Sequence, residues 1–597
     1  MRSDLGAVPS GPSSTTFTLW APDTRVVEVH GSTGRVCLTR GADGYHRGSA
    51  PWGPGSLYQY VLDGGTALAD PASRAQPGGV HGPSEVVDLT YPWRDEEFRP
   101  GPLREWVLYE LHIGTFTDEG TFAGAVAALD DLVELGVTAV EVMPVAQFPG
   151  RRNWGYDGVF PFAVQQTYGG PKGLQDFVAE CHRRHIAVAL DVVFNHLGPE
   201  GNVLGQFGPY FTDRYSTPWG SAVNLDGPLS DDVRSYFLAN ARQWFEDFHL
   251  DALRLDAVHE LIDRSARPFL GELADAVEEL AGHIGRSCTL IAESADNNPL
   301  TITPTSGHGL GMDAQWNDDF HHSVHAVLTT ERDGYYGDYG RPDDVARAMS
   351  QGFVYQGQYS RFRQRRHGAP SVSIPPECFA IFVQNHDQVG NRPDGARLST
   401  LVAPDRLRLA AALLLLSPGL PLLFMGEEYG EVAPFAYFVD HADPELLDAV
   451  RRGRAAEHAH SASGPLPDPG NPATFAAAVL RRDRVSDPMK DDLWHLYRDL
   501  IALRRDEPAL HHSSRERTRA HADGDVVTLL RTHAEGSVAA YFNLSGTPGW
   551  GQLPSDGHWE ETLRTDPEDG PAERIALEPW DFRVFRSQPP LQASEGR

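Results

Sequence analysis

The feature that most constrains the fold of this 597-residue chain is an alternation of short apolar runs with amphipathic segments after residue 104. Segment 231–248 shows the helical pattern, because its large apolar side chains approximate one helical face. Strands that alternate with helices are typical of βαβ units and a parallel sheet. Eight strands favour a (β/α)8 barrel with long insertions over a doubly wound sheet. We predict them at residues 106–110, 139–143, 186–194, 252–256, 289–292, 314–316, 379–384 and 422–425.

Both ends of the chain show short β-like runs between clusters of Gly, Pro and Asp. Residues 15–89 predict a β-sandwich, and three prolines within 91–102 predict a linker that leads out of it. The β pattern returns over residues 518–586. We therefore expect an α/β protein with an N-terminal β-sandwich, a TIM barrel and a small C-terminal β domain, at residues 1–92, 103–505 and 515–590.

The charge balance bears on the possible partners. Lys and Arg together number 51 and Asp and Glu 82, which gives a net charge of −31. Such an acidic chain repels phosphate backbones and anionic lipids, so we expect neither nucleic acid nor a membrane as the main partner. A neutral ligand such as a sugar meets no such barrier.

The cysteines and the apolar segments bear on the compartment. The four scattered cysteines form no metal-binding spacing and predict buried thiols in a reducing compartment. Residues 1–16 lack the apolar core of a signal peptide. The longest apolar run, 409–425, is interrupted by Ser, Pro and Gly, which predicts a helix end followed by a strand. We expect a cytoplasmic protein without a transmembrane helix.

Acidic residues lie at the ends of four predicted strands: Asp191, Asp256, Glu293 and Asp387. In a parallel barrel, the chemistry takes place where the strands end, at their C-terminal rim. A single acid there is more often a helix cap or a solvated loop residue. Four at successive strand exits favour a catalytic site, because a buried carboxylate is costly unless something makes use of it.

Paired carboxylates are the reacting groups of glycoside hydrolysis, in which one attacks the anomeric carbon and the other protonates the leaving oxygen. The nucleophile must stay ionised, which a neighbouring cation promotes, and Arg254 lies two residues before Asp256 on the same strand face. The acid needs a raised pKa, and Glu293 follows an apolar strand near other carboxylates.

The segments that contain these acids resemble the four ordered motifs of the alpha-amylase family. They are residues 191–196 (DVVFNH), 254–256 (RLD), 293 (E) and 385–387 (NHD). The resemblance implies a retaining (β/α)8 hydrolase with Asp256 as nucleophile, Glu293 as acid/base and Asp387 as transition-state stabiliser. It also implies that the sugar before the cleaved bond contacts Tyr156, His196, Arg254 and His386.

Longer segments resemble the trehalose-releasing members of that family, at residues 153–158, 195–202, 209–212, 316–322, 384–392 and 424–428. Segments 17–22 and 70–71 resemble the carbohydrate-binding-module-like sandwich that precedes the barrel in those enzymes. The resemblance implies hydrolysis of the α-1,4 bond next to the terminal trehalose of maltooligosyltrehalose. The products are trehalose and maltooligosaccharides, and a separate pathway enzyme supplies the substrate.

One departure from the wider amylase pattern fits this substrate. Many amylases carry Lys-His at the third and fourth positions after the nucleophile, where this chain has His259 and Glu260, so the leaving group is expected to differ. By resemblance we assign to substrate contact Ala257, Val258, His259, Asp318, Asp319, Phe320, His321, His322, Gln388, Val389, Gly390 and Asn391. We place at the trehalose end Trp219, Tyr335, Phe362 and Arg363, although loop aromatics often only pack their own loop.

Several alternatives stay open at this level. His321, His322 and His325 could form a metal cluster, but adjacent histidines without acidic ligands favour polar substrate contacts, and we predict no metal and no cofactor. A glycogen branching enzyme would share the motifs and pass the glycosyl group to a glucan 6-hydroxyl. A catalytically silent glucan-binding protein would typically lack one of the three acids, and all three are present here.

Overall fold

In the computed structural model, which describes residues 4–458, 465–511, 514–555, 557–563 and 574–587, eight parallel strands close into a barrel. Each strand pairs with the next along the chain, and the last pairs with the first. The predicted (β/α)8 fold is confirmed, and most strands are shorter than the predicted runs. The strands are β1 (Leu108–Leu111), β2 (Ala139–Val142), β3 (Ala187–Val192), β4 (Ala252–Leu255), β5 (Thr289–Ala292), β6 (Ala314–Trp316), β7 (Phe379–Ile381) and β8 (Leu420–Phe424).

The barrel strands are buried along nearly their whole length, which explains their continuous apolar runs. Four charged residues interrupt those runs: Glu110 in β1, Glu141 in β2, Asp191 in β3 and Arg254 in β4. Register places Glu110 beside Glu141 and Asp191 beside Arg254. Charged side chains are therefore concentrated inside one half of the barrel.

Helices follow most of the strands. The predicted helix 231–248 is α5, Ser230–Glu246, and the run 409–425 forms the end of α11 followed by β8, as predicted. No helix in the described part of the chain is long and apolar enough to cross a membrane. The α-helices are α1 (Ile113–Phe116), α2 (Phe122–Ala127), α3 (Leu129–Leu135), α4 (Gly170–Arg183), α5 (Ser230–Glu246), α6 (Phe269–Ile284), α7 (Asp318–Thr329), α8 (Pro342–Gln351), α9 (His386–Gly390), α10 (Leu398–Leu401), α11 (Pro404–Leu416), α12 (Pro444–Glu457), α13 (Pro472–Ala477), α14 (Pro488–Asp506) and α15 (Pro508–His511).

Two antiparallel sheets precede the barrel. One contains Gly6–Gly11, Ser14–Trp20, Tyr45–Ala50 and Thr39–Arg40, and the other contains Gly34–Cys37, Val27–Gly31, Leu57–Leu62, Ala67–Leu68 and Ser84–Glu85. Phe17 of the first sheet packs edge-on against Tyr58 and Tyr60 of the second, with ring centroids 5.1 and 6.4 Å apart. The sheets contact the barrel as well, since Tyr45 donates a hydrogen bond to Asp232 at 2.8 Å.

The chain after α15 forms two further antiparallel sheets. The larger has five strands, Thr518–Asp523, Val526–His533, Gly536–Asn543, Phe582–Ser587 and Trp559–Thr562, and the smaller pairs Gly549–Gln552 with Arg574–Leu577. The predicted β regions at both ends are confirmed. The domain boundaries 1–92, 103–505 and 515–590 stay predictions, and residues 1–3 and 588–590 lie outside the described part of the chain.

Three antiparallel hairpins are inserted where barrel strands end. They are Ala146–Gln147 with Phe160–Val164 after β2, Phe211–Thr217 with Gly220–Val223 after β3, and Tyr359–Ser360 with Arg365–Arg366 after β6. Their connecting segments contain Tyr156, Trp219 and Phe362, respectively. The hairpins thus bring aromatic side chains to the C-terminal rim of the barrel.

The cysteine prediction holds only in part. All four cysteines are free thiols, and Cys181 is buried as expected. Cys37, however, is exposed and Cys288 and Cys378 are half-buried. Cys37 lies at the end of Gly34–Cys37, an edge strand of the N-terminal sheets whose residues are mostly exposed.

Candidate active site

Arg254 is the residue around which the candidate site is built. Its side chain is fully buried, and its Nη1 donates to Asp191 Oδ2 at 2.8 Å and to Asp256 Oδ1 at 2.9 Å. Its Nη2 lies 3.9 Å from Glu293 Oε2, and the guanidinium lies over the ring of Trp316 at 4.1 Å. One cation therefore joins acids from three neighbouring strand ends.

Asp256 follows β4 directly and is oriented by two donors. Arg254 contacts Oδ1, and the Asn195 side chain donates to Oδ2 at 2.8 Å. The same Asn195 amide also donates to the Asp256 carbonyl at 2.8 Å. The side chain of Asp256 stays 12% exposed, whereas that of Asp191 is 2% exposed. Of these two acids, Asp256 is thus the one that a substrate can reach.

Glu293 follows β5 and accepts a hydrogen bond at 2.6 Å from the backbone N–H of Ala257. Ala257 adopts a left-handed conformation with φ of 38°, a strained backbone that non-glycine residues adopt mainly at functional sites. Burial raises the pKa of Glu293, Arg254 opposes this, and the charges of Asp256 and Asp387 raise it further. A carboxyl with a raised pKa can hold the proton that a general acid needs.

Asp387 lies on the short helix α9, and its side chain is 40% exposed. The Asn385 side chain caps α9 by accepting the backbone N–H of Asp387 at 3.0 Å. His386 approaches Glu110 through Nδ1 at 2.5 Å, and its Nε2 lies 3.5 Å from Asp387 Oδ1. Burial lowers the pKa of His386, but Glu110 and Asp387 outweigh it and raise the pKa to about 9. The Asp387 carboxylate is therefore next to an imidazolium.

Tyr156 and His196 form a second part of the rim. The Tyr156 hydroxyl donates to Asp191 at 2.5 Å, and its ring stacks on that of His386 with centroids 5.1 Å apart. Burial raises the pKa of Asp191 to about 7 although Arg254 lowers it. The ring of His196 stacks on Trp219 at 4.4 Å, and Trp219 itself is half exposed. These rings offer apolar faces beside the acids.

A separate group of side chains, which we call the rim patch, consists of Asp318, His322, Tyr335, Phe362 and Arg363. The ring centroids of His322 and Tyr335 are 4.3 Å apart, and those of Tyr335 and Phe362 are 5.9 Å apart. The Arg363 guanidinium lies 5.9 Å from the Phe362 ring. Burial, with the charges of Glu293 and Asp387, raises the pKa of Asp318 well above its usual range. The patch is thus electrostatically coupled to two of the proposed catalytic acids.

Known proteins resemble this chain over most of its length. The family model of the alpha-amylase catalytic domain matches residues 91–208. The malto-oligosyltrehalose trehalohydrolase of Arthrobacter ramosus is 48% identical over 82% of this chain and 87% of its own, and that of Saccharolobus solfataricus is 45% identical over 82% and 85%. The chain belongs to the malto-oligosyltrehalose trehalohydrolase family. A solved structure titled as a putative alpha amylase from Salmonella typhimurium covers 98% of this chain and all of its own, with 36% identity and a TM-score of 0.90.

The structure of this trehalohydrolase-family chain adds residues that sequence reasoning left out of the predicted site. These are Asn195, which binds Asp256, and Glu110, which binds His386, whereas Asp191, one of the four predicted strand-end acids, binds the central guanidinium. Asn195 belongs to the same motif as Asp191, so its place in that motif was an available signal. The sequence held no such signal for Glu110, because it lies 276 residues before His386, the residue that it contacts.

All five residues of the block 318–322 were predicted to contact substrate, but the structure buries most of them. Asp319, Phe320 and His321 are buried, with exposures of 2%, 0% and 1%. Both oxygens of Asp319 accept hydrogen bonds from neighbours in the fold. These residues form the first turn of α7, and His322, which follows them, is buried as well with an exposure of 5%, so Asp318 at the start of the helix is the partly exposed residue of this block.

Two further residues predicted to contact substrate belong to α9 and are buried. Val389 is 2% exposed, and Gly390 packs against the ring of Trp154, whose atoms leave no room for a Cβ. Gln388 and Asn391, in contrast, keep polar contacts at the rim: Gln388 donates to Asp318 at 3.4 Å and Asn391 to Asp387 at 3.5 Å.

The three residues after Asp256 differ in how they approach Glu293. Ala257 and Val258 are buried and reach Glu293 only through their backbone N–H groups. His259 is exposed, and its charge opposes the rise in the pKa of Glu293. Of these three predicted contacts, His259 is therefore the one whose side chain is open to a ligand.

The histidines of α7 have partners within the fold. His321 contacts the Val383 carbonyl through Nδ1 and the Tyr336 hydroxyl through Nε2, both at 2.8 Å. His325 contacts Glu331 at 2.8 Å. Across residues 4–587, apart from the undescribed gaps, no three His, Cys, Asp or Glu side chains are grouped as metal ligands would be.

Proposed function

We propose that this chain is a retaining glycosidase that hydrolyses the α-1,4 bond next to the terminal trehalose of maltooligosyltrehalose. The observation that carries the proposal is the contact of one buried guanidinium, Arg254, with Asp256 and Glu293. The carboxyl group of Asp256 is oriented by this cation, and the nearby carboxyl group of Glu293 has a raised pKa. Such a pair of carboxyl groups is suited to retaining hydrolysis. Relatives named for this reaction support the choice of substrate.

In the first step, Glu293 gives its proton to the glycosidic oxygen while the bond from that oxygen to the anomeric carbon breaks. An oxygen of Asp256 forms a bond to the same carbon, and trehalose leaves with the proton. Arg254 and Asn195 hold the attacking carboxylate in place. The maltooligosyl group is then covalently bound to the enzyme.

In the second step, Glu293 is a carboxylate and removes a proton from water. The water oxygen attacks the anomeric carbon, and the bond to Asp256 breaks. Asp387, held beside His386, binds hydroxyls of the sugar more tightly as its ring distorts toward the transition state. Two inversions at one carbon leave the configuration unchanged.

Recognition of the trehalose group is assigned to the rim patch and to His259. The α,α-1,1 linkage of trehalose gives its second ring a different direction from that in maltose, so discrimination requires donors and acceptors placed for its hydroxyls. Asp318, His322 and Arg363 supply polar groups, and Phe362, half exposed, offers an apolar face. Tyr156 and His196 are assigned to the sugar before the cleaved bond.

The proposal is tested with maltotriosyltrehalose as substrate. We expect trehalose and maltotriose in equal amounts, and proton NMR is expected to detect the α-anomer of maltotriose first. Asp256→Ala is expected to keep the melting temperature within a few degrees and to lose turnover by about four or more orders of magnitude. Formation of α-1,6 branches in amylose without trehalose release would instead identify a branching enzyme.

The cellular context is proposed from the composition of the chain. We propose a cytoplasmic location from the cysteine usage, and a separate enzyme that caps maltooligosaccharides with trehalose. Neither nucleic acid nor a membrane is proposed as a partner, because of the net charge of −31.

A further inference from the structure

Arg454 of α12 reaches the C-terminal end of α9, the helix that carries Asp387. Its Nη2 donates to the Gly390 carbonyl at 2.9 Å, and its Nη1 donates to Asn391 Oδ1 at 3.0 Å. Asn391 in turn points Nδ2 at Asp387 Oδ1, 3.5 Å away. A chain of contacts thus leads from an element that follows β8 to one of the proposed catalytic acids.

The guanidinium decides which way the Asn391 amide points. An amide has an oxygen that accepts and a nitrogen that donates, so a donor placed at one end turns the other end away. With Arg454 beside Oδ1, the N–H₂ group is the end that faces Asp387. Without that donor the amide loses one of the two contacts that fix its position, and only the 3.5 Å contact with Asp387 orients it.

The helix itself needs support because it is only five residues long. At its start the Asn385 side chain accepts the N–H groups of Asp387 and Gln388. Along its side Gly390 packs on Trp154, and at its end Arg454 holds the last carbonyl. A single turn has few hydrogen bonds of its own, so these outer contacts determine where its side chains point.

We propose that Arg454 is a positioning residue for Asp387, which it orients through Asn391 and the Gly390 carbonyl. The inference rests on the proposed function, because it assumes that Asp387 stabilises the transition state of trehalose release. Such a group acts mainly in the transition state, so its misplacement lowers kcat more than it raises KM.

A purely structural role for Arg454 is the competing explanation. Arg454 also pairs with Glu457 of its own helix at 2.9 Å and lies over the ring of Tyr437 at 5.5 Å. A matched control exists on the same helix: Arg451 binds Asp468 and Asp448, both at 2.9 Å, and among the described residues it has no hydrogen bond to α9. Loss of Arg451 therefore tests the effect of losing an α12 ion pair alone.

The experiment measures kcat, KM and melting temperature for the full chain with maltotriosyltrehalose. R454M keeps most of the apolar stem and is expected to lower kcat about tenfold to a hundredfold, with KM changed less than about twofold. R454K keeps the charge but not the fork of two donors, so it is expected to recover part of the loss. R451A is expected to keep the wild-type kcat.

A second variant tests the path through Asn391. In N391A, Arg454 keeps its contacts with Gly390 and Glu457. This variant is expected to lower kcat, as R454M does. The double variant is expected to be little worse than R454M alone, because both remove one connected path. If R454M does not fold, N391A and R454K decide the question by the same criterion.

A wild-type kcat in R454M would overturn the inference, and if R454M does not fold, a wild-type kcat in both N391A and R454K would do so. An equal loss of kcat in R451A would also overturn it. A change in R454M that is confined to KM would be a third contrary result. Failure of the proposed function is recognised separately, since the wild-type chain would then release no trehalose at all.

Discussion

At the residue scale, the site depends on how buried charges are balanced. Arg254 is fully buried and faces three acids, while His386 is buried between Glu110 and Asp387. A buried charge is tolerated only when it is paired, so each cation here determines the ionisation of the carboxyl groups around it. Two predictions concern these individual groups.

The first concerns Glu293, whose pKa is raised by burial and by neighbouring acids. The proposed acid must hold its proton, so activity falls as pH rises through that raised pKa. We expect a bell-shaped profile of kcat/KM whose alkaline limb lies above pH about 4.3, where an ordinary Glu loses its proton. A limb near that ordinary value would argue against Glu293 as the acid, provided that chemistry limits the rate.

The second concerns the pair of Glu110 and His386. Glu110→Gln removes the charge that, with Asp387, raises the pKa of His386 to about 9. The pKa of His386 is then expected to fall, which an NMR titration of its imidazole measures directly. Glu141→Gln is the control, because burial raises the pKa of Glu141 well above its usual range, which favours the neutral acid. An equal pKa of His386 in wild type and Glu110→Gln would contradict the prediction.

At the element scale, helix α4 binds the segment that enters the barrel. His182 of α4 contacts Asp95 through Nδ1 at 2.8 Å and Asp251 through Nε2 at 2.9 Å. A neutral imidazole has only one N–H, so both contacts are satisfied only by the imidazolium. Burial lowers the pKa of His182, but the two carboxylates outweigh it and raise the pKa. His249 and Arg286 also face this pair of acids.

This arrangement predicts a pH-dependent stability. Because the folded-state pKa is raised, the contribution of His182 is complete below its unfolded value of about 6.5 and is lost as pH rises through the folded value. The melting temperature of wild type is expected to exceed that of His182→Gln most at low pH, and the difference is expected to shrink as pH rises. A difference that stays constant with pH would show that His182 is not charged in the folded state.

At the scale of the whole molecule, the N-terminal sheets and the barrel share buried surface. Tyr236 of α5 donates to the Pro71 carbonyl at 2.7 Å, and Trp20 packs edge-on against Tyr210 at 5.2 Å. His81 contacts Glu200, which also accepts from the segment after β8. Two consecutive segments of the barrel, the connection after β3 and helix α5, thus contact residues 1–92.

We therefore predict that a chain beginning at residue 103 is less stable than the full chain. Removal of the N-terminal sheets is expected to expose the side chains of Tyr210 and Tyr236, which are 3% and 2% exposed in the full chain. The expected result is a lower melting temperature and association into larger species, measured by calorimetry and by size-exclusion chromatography. A truncated chain that is as stable as the full chain and does not associate would show that the barrel folds independently of residues 1–92.

The sequence by itself determined the barrel and the order of its catalytic motifs. Periodicity and strand-end acids are local properties, so they are visible in short segments such as 252–256 and 289–293. Their places in the closed barrel follow from the parallel order of the strands.

Only the tertiary structure decided which side chains of a motif face the site. Asp318 is partly exposed while Asp319, Phe320, His321 and His322 are buried, because α7 begins at Asp318 and packs along its length. Glu110 and Arg454 acquired their places through contacts with residues 276 and 64 positions away, respectively. The physical reason is that burial and charge pairing depend on which elements pack together, which no local pattern of residues records.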